Sequence, residues 1–194
     1  DILYLTLWSE PGRQPWQGGV YKSTDGGKSW TACTQGLKQQ VGKAGQASQM
    51  TANYDALVVH PDNPDVVYVG GAGWVNSAVY KTTNGGDSWS AVWRGDNLAR
   101  YIWIDPRNSS VLYVSTGIFD RNAAGANPDT NDWKGVGILR SEDGGSTWTV
   151  LDESNGLGGL YVPSLYMHPR DSKTILAAVT SNGGRAKKDF QMFL

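Results

Sequence analysis

One eight-residue motif occurs three times in this chain, and its recurrence leaves few folds open. The copies are Ser23-Thr24-Asp25-Gly26-Gly27-Lys28-Ser29-Trp30, Thr82-Thr83-Asn84-Gly85-Gly86-Asp87-Ser88-Trp89 and Ser141-Glu142-Asp143-Gly144-Gly145-Ser146-Thr147-Trp148. The closing tryptophans are 59 residues apart both times (89 less 30, 148 less 89). A repeat of that length is one supersecondary unit used several times over. Asp-Gly-Gly or Asn-Gly-Gly between β-prone runs predicts a hairpin turn, because tight hairpins need the positive φ that glycine supplies. The Asp or Asn side chain and the leading hydroxyl are expected to bond backbone N–H groups two residues on. Each Trp is expected to bury its ring over its own hairpin. The motif offers only one or two side-chain oxygens per copy, too few for a calcium loop.

A second element also recurs. Ala56-Leu57-Val58-Val59-His60-Pro61 leads through a polar turn to Val66-Val67-Tyr68-Val69. Tyr101-Ile102-Trp103-Ile104-Asp105-Pro106 leads likewise to Val111-Leu112-Tyr113-Val114, and Ser164-Leu165-Tyr166-Met167-His168-Pro169 to Thr174-Ile175-Leu176-Ala177. Each reads as strand, Pro-containing turn, strand. The continuous apolar character predicts strands buried on both faces. His60 and His168 hold matching turn positions where the third copy has Asp105, which points to turn chemistry and away from metal or catalysis.

The eight-residue motif resembles the Asp-box, or BNR repeat. Sialidases, family 74 xyloglucanases, sortilin-type receptors and a photosystem assembly factor carry it on β-propeller blades. The resemblance assigns structural roles to Ser23, Asp25, Gly27 and Trp30, to Thr82, Asn84, Gly86 and Trp89, and to Ser141, Asp143, Gly145 and Trp148. Asn84 is a departure that the family tolerates. The expected fold is all-β, built of four-stranded antiparallel propeller blades, about three and a half of them, a partial propeller. Residues 1–35 form a blade lacking its innermost strand. Residues 54–94 form a full blade, 99–152 a full blade with a long loop insertion, and 162–194 an incomplete blade. Three and a half blades do not make a common closed ring. The remaining blades are therefore expected from the same longer chain or from another copy.

Composition fits this reading and excludes others. Glycine at 25 residues and tryptophan at 9 suit a turn-rich all-β chain with aromatic anchors. A net charge of −1 gives no bulk attraction to nucleic acid or an anionic membrane. No apolar run approaches the roughly 18 residues a membrane helix needs. Cys33 is the single cysteine, so no internal disulfide is possible. No Cys/His cluster has metal spacing, and no cofactor or metal is expected.

Blade topology puts the Pro turns and Asp-boxes at one end of each sheet. The connections from second to third strand, 9–18, 72–76 and 117–134, lie at the other, where sialidase-like and family 74 propellers hold substrate. Each carries a tryptophan: Trp16, Trp74 and Trp133. These rings either stack on sugars or pack over their loop bases. The longest connection adds Asp120, Arg121 and Asp132, whose polar groups suit sugar hydroxyls or a solvated loop alike. Trp16, Trp74, Asp120, Arg121, Asp132 and Trp133 are thus the candidate carbohydrate-binding residues. Trp103, on an inner strand, reads as packing or as a lining of the central channel. Glu10, Asp96, Asp120, Asp129, Asp132, Asp152 and Glu153 supply carboxylates at that end, but no Arg-Ile-Pro segment or Glu/Tyr pair of the sialidase kind is present. No catalytic residues are assigned, and whether the chain is an enzyme stays open. The expected function is a carbohydrate-directed propeller, part of a family 74-like or sialidase-like glycoside hydrolase or a non-catalytic glycan-binding relative. The alternative is a protein-interaction scaffold of the sortilin or photosystem-assembly-factor kind. An extracellular or periplasmic location is expected, although no signal peptide is visible.

Overall fold

The computed structural model describes residues 1–7, 19–37, 53–72, 77–95, 99–117, 136–168, 170–180 and 190–193. The protein is all-β, and it divides into two compact units, Asp1–Asp96 and Asn97–Leu194.

The first unit holds two antiparallel sheets. Strands β1 (Leu3–Leu7), β2 (Gly19–Ser23) and β3 (Thr31–Ala32) form one, in that order. Strands β4 (Asn53–His60), β5 (Asn63–Ala72), β6 (Ser77–Thr82) and β7 (Ser90–Gly95) form the other. Val20, Leu37, Tyr54, Val67, Val69, Ala78, Tyr80 and Trp89 make a core shared by both sheets. Fully burying a valine there is worth about 1.5–3 kcal/mol, so a few such contacts hold two sheets face to face. Polar bonds fix their register. Trp89 donates its indole N–H to the Cys33 carbonyl at 2.8 Å and its backbone N–H to the Gln35 carbonyl at 2.9 Å. Tyr4 donates its hydroxyl to the Pro64 carbonyl at 3.1 Å. Gly36, at φ +86°, lets the chain pass this close: a Cβ there would collide with the Trp89 carbonyl oxygen.

The second unit repeats the plan. Strands β8 (Ala99–Ile104), β9 (Leu112–Thr116), β10 (Ile138–Ser141) and β11 (Thr149–Leu151) form a four-stranded sheet. A short 3-10 helix, Glu153–Asn155, leads to β12 (Tyr161–His168), β13 (Asp171–Thr180) and β14 (Phe190–Phe193), a three-stranded sheet. Its core joins Tyr113 and Ile138 to Val162, Leu165, Met167, Ala177 and Val179.

The sequence pattern predicts inner strands buried on both faces. Strand β9 is buried throughout, but β8 and β12 expose Tyr101 and Tyr166. The reason is which face each side chain takes. Tyr166 alternates with buried Leu165 and Met167, and Tyr101 with buried Ile102, so each lies on a strand face that is only partly covered. Each inner strand also carries a one-residue irregularity, between Tyr54 and Ala56, between Ala99 and Tyr101, and between Tyr161 and Ser164. A bulge at a repeated place is a built feature that turns the strand end.

Candidate functional site

The two ends of the sheets differ in chemistry. At the Asp-box end the leading hydroxyl, the Asp or Asn and the Ser or Thr before the Trp bond to one another and to their own turn. Ser23 donates its hydroxyl to Asp25 Oδ1 at 2.8 Å and accepts the Gly27 N–H at 2.8 Å. Asp25 Oδ1 accepts the N–H groups of Lys28 and Ser29, each at 2.9 Å, and Oδ2 accepts the Ser29 hydroxyl at 2.6 Å. In the third copy Ser141, Asp143, Gly145 and Thr147 repeat these contacts. The division of labour differs from the one expected. The leading hydroxyl takes the N–H groups two and four residues on, while the carboxylate takes those further along.

Asn84 keeps the design with one bond reversed. Its Oδ1 accepts from Thr82 and from the Ser88 N–H, but its Nδ2 donates to Ser88 Oγ at 2.9 Å. A hydroxyl can donate or accept, so the swap is tolerated. The glycine pairs sit at positive φ in all three copies, as with Gly85 at 68° and Gly86 at 91°. Bonds to the Ser29 hydroxyl and N–H, then to Ser23, hold the Asp25 carboxyl well below the usual range. The Thr147 hydroxyl and N–H, then Ser141, lower Asp143 to about 2.

The Pro turns are tied to the boxes. The first box glycine donates its N–H to a carbonyl at the start of the preceding strand or just before it: Gly26 to Asp1, Gly85 to Asp65, Gly144 to Ser110. Within the turns His60 Nδ1 accepts the Asp62 N–H, His168 Nδ1 the Arg170 N–H, and Asp105 Oδ1 the Arg107 N–H. Histidine and aspartate thus do the same turn-closing work. The tryptophans are less uniform than the motif implies. Trp30 donates to its own hairpin, at the Gly27 carbonyl, and is 38% exposed. Trp89 is 4% exposed and reaches the neighbouring sheet instead. Trp148 is half-buried.

Sequence reading missed a third repeated device. Lys22, Lys81 and Arg140 precede the boxes and stand directly opposite Tyr4, Tyr68 and Tyr113. Each cation lies over the ring, at 5.6, 5.3 and 5.8 Å from its centroid. The signal was present as a basic residue before each box and a tyrosine in each preceding strand.

The opposite end is where a ligand could be met. The base of the long connection in the second unit is fastened by buried Thr116. Its hydroxyl donates to the Gly137 carbonyl at 2.7 Å and accepts the Val136 N–H at 2.9 Å. Arg100, at the bulge of β8, donates its Nε to the Gly117 carbonyl at 3.4 Å. Asp152 is committed to capping the 3-10 helix, accepting the Ser154 N–H at 2.8 Å. The expected carbohydrate residues Trp16, Trp74, Asp120, Arg121, Asp132 and Trp133 lie outside the described residues, as do Glu10, Asp96 and Asp129. Among the described residues no cluster of His, Cys, Asp and Glu could hold a metal ion. One exposed aromatic group lies on the strands, nearer the Pro turns than this end. Tyr166 on β12 is 56% exposed and meets Trp103 of β8 with ring centroids 6.1 Å apart, tilted by 54°. Tyr101, 41% exposed, lies two residues before Trp103 on the same strand face.

No family model matches the chain. It is 27% identical over 146 residues to the xyloglucanase Xgh74A of Acetivibrio thermocellus, covering 71% of this chain and 16% of that protein. It is 23% identical over 194 residues to a xyloglucanase of Paenibacillus sp., covering 86% of this chain and 18% of that one. Among solved structures it resembles an ancestral GH74 enzyme (TM-score 0.64, 23% identity, 91% of this chain and 20% of that chain). It also resembles the Niastella koreensis GH74 enzyme (TM-score 0.63, 18% identity, 92% of this chain and 23% of that chain). The chain therefore spans about a fifth of the length of the proteins it matches. It is a set of β-propeller blades distantly similar to part of the GH74 xyloglucanases.

Proposed function

We propose that this chain is a carbohydrate-directed propeller segment that contacts a neutral plant-type polysaccharide, with xyloglucan the first candidate. The observation that carries the reading is the 27% identity over 146 residues to a xyloglucanase. The Asp-box motifs spend their own polar groups on their turns, and this reading puts recognition at the opposite end. Trp16, Trp74 and Trp133 there would stack on pyranose rings, and Asp120, Arg121 and Asp132 would bond the hydroxyls. Further blades of a longer chain, or of another copy, would complete the ring. A polysaccharide of this kind is met outside the cytoplasm, so we place the protein there.

Calorimetric titration with xyloglucan oligosaccharides tests the reading. Saturable binding that weakens in Trp74→Ala and Trp133→Ala is expected. No binding by the parent chain to xyloglucan or to cellulose-derived oligosaccharides refutes it.

A further inference from the structure

The dipeptide Asn-Gly occurs three times in the chain, as Asn84-Gly85, Asn155-Gly156 and Asn182-Gly183. The last lies outside the described residues. Glycine has no Cβ to shield its own nitrogen and turns freely about φ, so that nitrogen can attack the Cγ of an asparagine before it. The two described copies hold these atoms very differently. Gly85 is buried, and its N–H donates to the Asp65 carbonyl at 2.9 Å. The Asn84 carboxamide is tied down at both ends: Oδ1 accepts the Thr82 hydroxyl and the Ser88 N–H, and Nδ2 donates to Ser88 Oγ. The nitrogen and the carbon that would have to meet are thus each committed elsewhere. Asn155 and Gly156 are both exposed. The Asn155 Oδ1 accepts the Asp152 N–H at 3.1 Å, and the Gly156 N–H closes a single 3-10 turn onto Glu153. One exposed turn of that kind opens readily.

We propose that Asn155 is a site of spontaneous deamidation in the folded protein, and that the second Asp-box locks Asn84 against the same reaction. The Gly156 nitrogen gives its proton to solvent and bonds to Asn155 Cγ. The Cγ–Nδ2 bond breaks, and the amide nitrogen leaves as ammonia with a proton returned from solvent. The product is a cyclic imide joining the two residues. Water then adds to one of its two carbonyls and opens the ring, to aspartate by one route and to isoaspartate by the other. The sum is one water taken up and one ammonia released, with no oxidant or reductant. Either product alters the link from β11 to β12. Aspartate sets a new carboxylate close to Asp152 and Glu153, where like charges repel. Isoaspartate adds a methylene to the backbone two residues before Leu157, whose N–H bonds to the Asp152 carbonyl at 3.2 Å and whose side chain packs on the core of the second unit. The site does not depend on what the propeller binds.

The full chain is aged in mildly alkaline buffer, folded and in urea, then digested and read by mass spectrometry. Isoaspartate is scored by labelling with an isoaspartyl methyltransferase. In the folded chain the Asn155 peptide is expected to convert at least about tenfold faster than the Asn84 peptide, because the two sites differ in how easily they open. In urea the two rates are expected to come within about threefold of each other, since the shared dipeptide then dominates. Thr82→Val removes the hydroxyl that holds Asn84 Oδ1 and the Asn84 and Gly86 N–H groups. It is expected to speed conversion at Asn84 by about tenfold and to leave Asn155 as it was. Asn155→Gln, whose longer side chain would have to close a larger ring, is expected to abolish conversion at that peptide. Equal rates at the two asparagines in the folded chain, or a folded chain in which Asn155 stays intact while the urea sample converts, overturns the proposal. An Asn84 rate unmoved by Thr82→Val overturns the lock.

Discussion

Two residue-scale features have direct consequences. Asp25 and Asp143 each accept several bonds that only the ionised carboxylate can accept in full. Their folded pKa values are lowered, so their contribution is present above the unfolded carboxylate range near about 4. It is lost as pH falls through the folded values, which for Asp143 is about 2. Asn84 does not titrate. Asp25→Asn with Asp143→Asn is therefore expected to flatten the fall of the melting temperature between pH 4 and pH 2, read by circular dichroism, with little change at pH 7. Trp89 joins two sheets through its ring and two N–H groups. Trp89→Ala is expected to cost about 3–5 kcal/mol in urea unfolding, and Trp30→Ala, at 38% exposure, clearly less. The boxes were legible in the sequence because glycine φ and side-chain caps act locally. That Trp89 serves the neighbouring sheet was not legible, since nothing in eight residues says which carbonyl its indole meets.

At the scale of the strand, a cation over a tyrosine recurs in three sheets. Such a cross-strand pair is worth about 0.5–1 kcal/mol where partly exposed. Lys81→Met, which keeps the aliphatic stem, is expected to lose about that much in chemical denaturation, and Tyr68→Leu more because a buried ring goes with it. Parent-like stability of Lys81→Met would deny the cation any role. Strand existence followed from apolar runs and Pro turns. Exposure of Tyr101 and Tyr166 did not, because alternation identifies the two faces of a strand without saying which face has a neighbour. The β7 ladder starts at Ser90, and the Trp89 N–H before it is drawn to Gln35.

For the whole molecule, near-neutrality is informative. With 17 basic and 18 acidic residues, long-range attraction to a charged polymer is weak. Saccharide affinity is expected to change less than about twofold between 0.05 and 0.5 M salt, a range over which the screening length shrinks severalfold. A steep loss over that range would indicate a charged partner. The blade-type architecture was readable from the 59-residue period of the closing tryptophans. The candidate loops were readable as places rich in Trp and Asp, but a loop's chemistry comes from the distances between side chains, which composition does not encode.

The clasp between the first box glycine and the carbonyl at the start of the preceding strand bears on how such a chain can change over time. In the two four-stranded sheets it ties two turns together, so an insertion at that end would break bonds on both sides of the hairpin. At the far end the connections differ widely in length. They run from 73–76 between β5 and β6 to 117–137 between β9 and β10, the longer one closed at its root by Thr116. That root is a natural graft point: new recognition loops can be exchanged there while the strands and their clasped turns stay as they are.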